Sequence, residues 1–286
     1  MTFRPANTED APAIETFLRA HTETSMFLRN NLRAFGPCGG DAPHATRMWL
    51  QECDGGVSGV LGISTAGFVM MQLPAGAEGD RVRTLLGGED VRGILGASDQ
   101  AQPLRQMLGL GTAPAQLDDD EPLYALDLDR LRVPVGDTSL RPATTEDRAL
   151  LIRWREEYLV ETVHFTPEDA IETAPRDVDG MLARGALMLL EAPDGTPCAM
   201  TAFNAILPDM VQIGNVFTPD DMRGQGHARR VVALHLKKAR SDGVERAILF
   251  ASGPAASRAY EAIGFEHIGS FTMLIFEEAQ HIKAAA

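Results

Sequence analysis

The alternation of hydrophobic and polar positions runs through the same course twice. Thr2-Phe3 and Ser139-Leu140 are short strand-like starts. Each leads into an Arg-Pro-Ala-x-Thr-Glu-Asp segment, at 4–10 and 141–147, with six of seven positions matching at an offset of 137. Thr8-Glu9-Asp10 and Thr145-Glu146-Asp147 carry the hydroxyl and acids of a helix N-terminus, and helical patterns follow. Val57 to Met71 then gives strand-like runs broken by Gly62 and Gly67 and ending at Leu73-Pro74. In the second half Ala186 to Glu191 reads as a strand, Pro193-Asp194-Gly195-Thr196 as a turn, and Cys198–Ile206 and Met210–Thr218 as returning strands. Ala228, Val231, Val232, Leu236 and Ala239 fit helical spacing. The offset is about half the chain, which predicts two tandem copies of one mixed α/β fold, a mostly antiparallel sheet flanked by helices. The expected domains are 1–134 and 138–286, joined near Arg132–Asp137.

Composition adds limits. The chain has 286 residues, 44% hydrophobic and 23% charged, enough for a core in each half. The net charge is −14, shared as 18 acidic against 11 basic residues up to 136 and 22 against 15 beyond. Neither half is a basic arm, and a surface this acidic argues against nucleic-acid partners. No window offers about 18 consecutive apolar residues, so no membrane span is expected. Met1–Pro5 lacks the basic-then-apolar profile of a signal peptide. Cys38, Cys53 and Cys198 form no CxxC pair and fit a reducing, cytoplasmic setting. The acidic run Asp118–Glu121 reads as a solvated loop. The seven histidines show no ligand spacing, with His227 and His235 eight apart on one helix, and no metal is expected.

The chemistry concentrates at Met210–Ala239: a strand, the glycine loop Arg223-Gly224-Gln225-Gly226-His227-Ala228, and a helix. Such a loop aims backbone N–H groups at a pyrophosphate, and the helix N-terminus adds partial positive charge. Arg223, Arg229 and Arg230 are local cations that can add to it. Read alone, the loop is equally an ordinary strand-to-helix turn. The first half has Ala75-Gly76-Ala77-Glu78-Gly79-Asp80 at the corresponding place, with glycines but two acids. Further on, Gly253 to Phe265 contains Ala256 and Tyr260-Glu261-x-x-Gly264-Phe265.

Together these segments resemble the GNAT N-acetyltransferase superfamily. Arg223, Gly226 and Ala228 stand at its Arg/Gln-x-x-Gly-x-Gly/Ala positions. The 253–265 segment is similar to its Asn-x-x-Ala-x-x-x-Tyr-Glu-x-x-Gly-Phe stretch, with Gly253 in place of Asn. The resemblance covers about 140–286. It implies a tandem arrangement in which residues 1–134 form a degenerate copy, a scaffold or one wall of the acceptor site.

The resemblance further implies transfer of an acetyl group from acetyl-CoA, as co-substrate, to a primary amine of a small molecule or peptide by direct attack. It places the cofactor on Val216, Phe217, Thr218, Arg223, Gly224, Gln225, Gly226, His227, Ala228, Arg229 and Ser257. A backbone N–H near Val216 would polarise the thioester carbonyl, and Tyr260 would protonate the leaving thiolate. The family often has a basic Glu on the strand before the loop; Gln212 and Asn215 stand there instead. Glu157 and Glu161, four apart on one helical face, are candidates to hold a cationic amine, or are simply a solvated face. Tyr260 is otherwise an aromatic packed at a helix end. A non-catalytic acyl-CoA-binding or regulatory module is the alternative to an enzyme.

Overall fold

The computed structural model describes residues 2–53, 55–74 and 79–284. The first half runs β1 (Thr2–Pro5), α1 (Ala11–Arg19), α2 (Thr22–Phe35), β2 (Thr46–Cys53), β3 (Gly56–Ser64), β4 (Phe68–Gln72), α3 (Gly79–Leu85), β5 (Asp90–Ala97), α4 (Ser98–Met107) and β6 (Ala115–Asp127). The second runs β7 (Ser139–Pro142), α5 (Arg148–Val163), α6 (Pro167–Ala183), β8 (Leu187–Glu191), β9 (Pro197–Ile206), β10 (Met210–Phe217), α7 (His227–Ser241), β11 (Arg246–Phe250), α8 (Pro254–Glu261) and β12 (Glu266–His281). The order of strands and α-helices is the same in both, so the repeat extends from a heptapeptide to a whole fold.

The heptapeptide match has a structural cause. Arg4 donates to Asp10 at 2.7 and 2.8 Å and to Glu52 at 2.8 and 3.1 Å. Arg141 repeats this with Asp147 at 2.6 and 2.7 Å and Glu191 at 2.6 Å. Asp10 and Asp147 also accept from the backbone N–H of Asn7 and Thr144, each at 2.8 Å, closing a capping box. The paired guanidinium, with that N–H, pulls the Asp10 carboxyl down to about 2 and lowers Asp147 likewise. The heptapeptide therefore ties the first strand to the turn that opens the first helix and to the acidic residue on the neighbouring strand.

The chain forms two compact units, Met1–Glu121 with Gly269–Ala286, and Pro122–Ile268. In the first, strand order is β1-β2-β3-β4-β5-β12, with β4 and β5 parallel and the described pairs otherwise antiparallel. In the second it is β6-β11-β10-β9-β8-β7, with β10 and β11 parallel. Each half gives its last strand to the other half's sheet: Leu123–Asp127 pairs with β11, and Phe271–His281 with β5. The expected boundary near 132–137 follows the repeat along the chain. The compact units follow this strand exchange instead.

Alternation along each strand builds a core on both faces of each sheet. In the first unit Ile14, Leu18, Leu28 and Leu32 of α1 and α2 cover Leu50, Val60 and Met70. Val82 of α3 with Ala101 and Leu104 of α4 cover Leu61, Val69, Met71 and Ile94. In the second unit Leu151, Trp154, Val178 and Met181 of α5 and α6 cover Leu189, Met200, Ala202 and Phe217. Val231, Val232 and Leu236 of α7 with Tyr260 of α8 cover Ala199, Val211, Ile213 and Leu249. Truncating Leu236 to Ala would cost about 2–5 kcal/mol.

Two sequence expectations are corrected here. Gly62 does not interrupt a strand. It pairs with Met48 inside β3, where a Cβ would lie 2.7 Å from Thr46 Cγ2. Asp118–Glu121 is not a loop but part of β6. Arg105 donates to Asp118 at 2.8 and 3.0 Å, and Asp120 accepts from Thr272 at 2.5 Å and from Ser98 and Gln102. Glu121 is 9% exposed, and burial, with the charge of Asp119, pushes its carboxyl up to about 7. The misreading came from counting charges; the partners of these carboxylates lie up to 152 residues away. Among the described residues no helix is long and apolar enough to cross a membrane.

Candidate functional site

Pairing between β10 and β11 runs from Met210↔Arg246 to Ile213↔Leu249 and stops. Beyond it β10 continues to Phe217 against β9, with a bulge between Gly214 and Phe217: three steps along β10 match two along β9. Asn215, inside the bulge, has φ 51°, in the left-handed region. A Cβ at Gly214 would sit 2.1 Å from Asn204 Nδ2, so only glycine fits beneath that amide. Asn215 Nδ2 donates to Asn204 Oδ1 at 2.8 Å, and Arg155 of α5 donates to Asn215 Oδ1 at 2.5 Å. Arg155 is itself held by Asp177 of α6 at 2.6 and 3.0 Å. Gly214-Asn215 thus has a definite backbone task, which weighing Asn215 as a base did not reveal.

The strand leads through Thr218 and the turn Asp220–Met222 into the glycine loop. Gly224 and Gly226 have φ 77° and 83°. Gly226 is the N-cap of α7 and supplies no side-chain cap, so the first-turn N–H groups of His227, Ala228 and Arg229 lack an intrahelical acceptor. A Cβ at Gly226 would meet Arg229 Nε at 2.9 Å, and one at Gly224 meets nothing within 4 Å. Gln225 is exposed between the two glycines. Thr218 is buried, and its hydroxyl has no hydrogen-bond partner. Uncapped N–H groups, left-handed glycines and an unpartnered hydroxyl suit an anionic, oxygen-rich ligand such as a pyrophosphate.

The three arginines take separate positions. Arg223 donates to the Thr218 carbonyl at 2.9 Å and pairs with Glu161 at 2.7 Å and Asp220 at 2.6 Å. Its guanidinium lies 5.7 Å from the Phe217 ring. Arg230 binds the carbonyls of Pro134, Gly136 and Thr138 and the Thr138 hydroxyl, tying α7 to the 134–138 segment. Arg229 is the one of the three that makes no hydrogen bond or ion pair among the described residues.

Glu157 and Glu161 do share the helical face, but they are not equivalent. Glu161 is neutralised by Arg223. Glu157 is exposed and makes no hydrogen bond or ion pair among the described residues. Partial burial, reinforced by the charges of Glu161 and Asp220, raises its carboxyl above the ordinary glutamate range. Phe217 itself points into the core, its ring 6.0 Å from Trp154, so only its main chain can serve a ligand.

Gly253 caps α8 with φ 142°, a conformation closed to Asn at ordinary cost. An Asn at this position would be strained in the backbone conformation found here. Ser257 lies half-buried on α8, its N–H donating to the Gly253 carbonyl at 3.0 Å. Tyr260 is 7% exposed within the core cluster, its ring 6.1 Å from Phe265. Gln212 is buried and donates to the Ile213 carbonyl at 3.0 Å. His235 stacks on Phe203 at 3.7 Å, and burial drives its imidazole down to about 3, so it is neutral. Among the described residues no group of three or more His, Cys, Asp or Glu side chains could hold a metal ion.

Residues 148–265 match the model of the acetyltransferase (GNAT) family. That segment contains the strand, bulge, loop and both following helices, and through it the chain is similar to this family. An acetyltransferase of Agrobacterium fabrum is 42% identical over 55 residues, 19% of this chain. The match spans 40% of the length of that relative. A GCN5-related N-acetyltransferase from Kribbella flavida has a similar structure, with TM-score 0.57 at 18% identity over 90% of this chain and 95% of its own. A tandem GNAT protein from the clavulanic acid biosynthesis pathway gives TM-score 0.52 at 16% identity over 97% and 98%. At such identities the likeness concerns the fold, and it extends through both halves.

Proposed function

We propose that the protein is an N-acyltransferase that moves an acetyl group from acetyl-CoA to a primary amine, with one cofactor site, in the second half. The observation that carries this reading is the succession within 17 residues of β10 parting from β11, a left-handed bulge at Asn215, two left-handed glycines and an uncapped helix. The pyrophosphate would lie on the N–H groups of Gly224–Arg229, with Arg229 beside it. The pantetheine would run along Val216, Phe217 and Thr218, with Ser257 across the gap. The amine attacks the thioester carbonyl carbon, the C–N bond forms and the C–S bond breaks. The thiolate takes a proton from Tyr260, the amine proton passes to solvent, and Tyr260 regains a proton from solvent before the next turnover. Glu157, the carboxylate Arg223 leaves free, would hold the cationic acceptor. Residues 1–134 serve as scaffold and bind no cofactor.

The second reading, a non-catalytic acyl-CoA-binding module, draws support from the burial of Tyr260 and from the uncharged Gln212 and Asn215 on β10. Release of CoA thiol from acetyl-CoA over a panel of small amines, aminoglycosides and peptides decides between them. Acetyl-CoA binding with no amine-dependent thiol release by any acceptor would favour the module. Failure to bind acetyl-CoA would sink both.

A further inference from the structure

The Asn215 bulge is built from outside the strand that carries it. Its φ of 51° costs an ordinary side chain about 1 kcal/mol or more, and Asn tolerates it better than most residues. Here the conformation is also fixed by two hydrogen bonds to the side-chain amide. Arg155 holds Oδ1 at 2.5 Å and Asn204 holds Nδ2 at 2.8 Å, so the amide cannot turn over. Asp177 anchors the Arg155 fork at 2.6 and 3.0 Å, and the Tyr158 ring lies 5.1 Å from its guanidinium carbon. Arg155 and Asn215 are both largely buried, where such charge-assisted bonds are strong and leaving one partner unpaired is costly. The hydrogen-bonded side chains Arg155, Asp177, Asn204 and Asn215 come from α5, α6, β9 and β10.

Resting on the acetyltransferase reading above, we infer that Arg155, braced by Asp177, is a positioning residue that fixes the Asn215 bulge and thereby aims the Val216 N–H at the thioester carbonyl. Oxyanion-type contacts depend on donors held in place before the reaction. A bulge free to relax into regular strand would turn that N–H by one position of the pleat. The chain Asp177–Arg155–Asn215–Asn204 prevents this. It also makes α5 and α6 part of the cofactor site without touching the cofactor.

The test reads the carbonyl itself and needs no acceptor. Acetyl-CoA labelled with carbon-13 at the carbonyl is bound to wild type and to Arg155→Met, and the C=O stretch is recorded by difference infrared spectroscopy. Wild type should lower the frequency relative to free acetyl-CoA. Arg155→Met should lose most of that shift while its affinity for CoA, which has no such carbonyl, is unchanged. Arg155→Lys, which can reach Asn215 but cannot fork onto Asp177, should recover part of it. If Arg155→Met fails to fold, Asn215→Gly replaces it, since glycine accepts the positive φ and removes only the amide. An undiminished shift in the variant overturns the positioning role and leaves the cofactor reading intact. So does an equal loss of CoA and acetyl-CoA affinity. A wild type that binds neither ligand overturns both.

Discussion

The two halves use one topology and differ where their parallel strands part. In the second half the pairing stops at Ile213↔Leu249, and Val216 lies three residues on, past a bulge. In the first half β4 and β5 stop at Met70↔Leu95, and the third residue on is Leu73. Its N–H is taken by Gln100 Oε1 of α4 at 2.7 Å. The β3–β4 register is regular from Ile63↔Val69 to Val60↔Gln72, so β4 has no bulge. The Met71 sulfur lies 2.4 Å from where a Cβ at Gly96 would be, so the sulfur occupies space on β5 that any larger residue would need. α3, which follows β4, has seven residues against fifteen in α7. Of the degenerate loop read at Ala75–Asp80, residues 75–78 lie outside the described residues, and Gly79 and Asp80 open α3. The residue three beyond the last parallel pair is thus placed differently in the two halves: inside a bulge in the second, just past the end of a regular strand in the first. In the first half a glutamine takes that residue's N–H.

The sharpest test of that contrast is at Tyr260, since the first half has no Tyr-x-x-x-Gly-Phe in its corresponding segment. Tyr260→Phe keeps the buried ring and removes the hydroxyl. The turnover number should fall roughly 10²–10⁴-fold with acetyl-CoA affinity little changed. An unchanged kcat would return Tyr260 to packing and make both halves equally non-catalytic at this position.

Gly226→Asp should follow in size. It forces a side chain into φ 83°, drives a Cβ toward Arg229 and sets a negative charge at the helix N-terminus. Acetyl-CoA affinity should drop by about 100-fold or more, about 2.8 kcal/mol. Calorimetry of wild type should give one acetyl-CoA per chain. A stoichiometry near two would show that the first half binds as well and would break the comparison.

How much of this could be read from the sequence depends on how far each residue's partner lies along the chain. The repeat was legible because Arg4 and Asp10, like Arg141 and Asp147, are six apart and act locally. The glycine loop was legible for the same reason, although α7 begins at His227, inside the stretch read as loop. The strand exchange was not, because β6 finds β11 more than a hundred residues on and no local pattern announces a partner. Glu161 looked like half of an acidic face because Arg223 is 62 positions away. Asn215 read only as a missing base because its task is set by Asn204 and Arg155, on two other elements.

The exchanged strands offer a further contrast. By register Leu123 of β6 faces Phe250, and Thr272 of β12 faces Gly96, each one residue past the last parallel pair on β11 or β5. Two residues earlier stand Glu121, buried, and Ser270, exposed. Glu121 has a folded pKa of about 7 against 4.5 in a free chain. The folded state thus binds its proton more tightly. The contribution of Glu121 is full below about pH 4.5, declines as pH rises toward 7, and is absent above. Glu121→Gln should leave stability unchanged near pH 4 and raise it by about 1–3 kcal/mol at pH 8. Denaturant midpoints at the two pH values check this, and equal midpoints for variant and wild type at pH 8 would mean that the carboxyl is solvated.

The smallest expected effect is at Gln100. Its side chain is the acceptor for the Leu73 N–H at 2.7 Å, and both groups are only part-buried. Gln100→Ala should therefore cost about 1 kcal/mol, the ordinary worth of one such hydrogen bond with water able to replace part of it. The informative quantity is the binding stoichiometry. If the glutamine were all that separates the halves, removing it would free the Leu73 N–H and create a second, weak acetyl-CoA site. Three further differences argue otherwise. β4 lacks the bulge of β10, α3 has seven residues against fifteen in α7, and Met71 crowds Gly96. The variant should thus still bind one acetyl-CoA per chain, with affinity equal to that of wild type. A second binding event in its calorimetric titration would mean that the first half has a working cofactor frame behind one side chain, and would break the contrast between the halves.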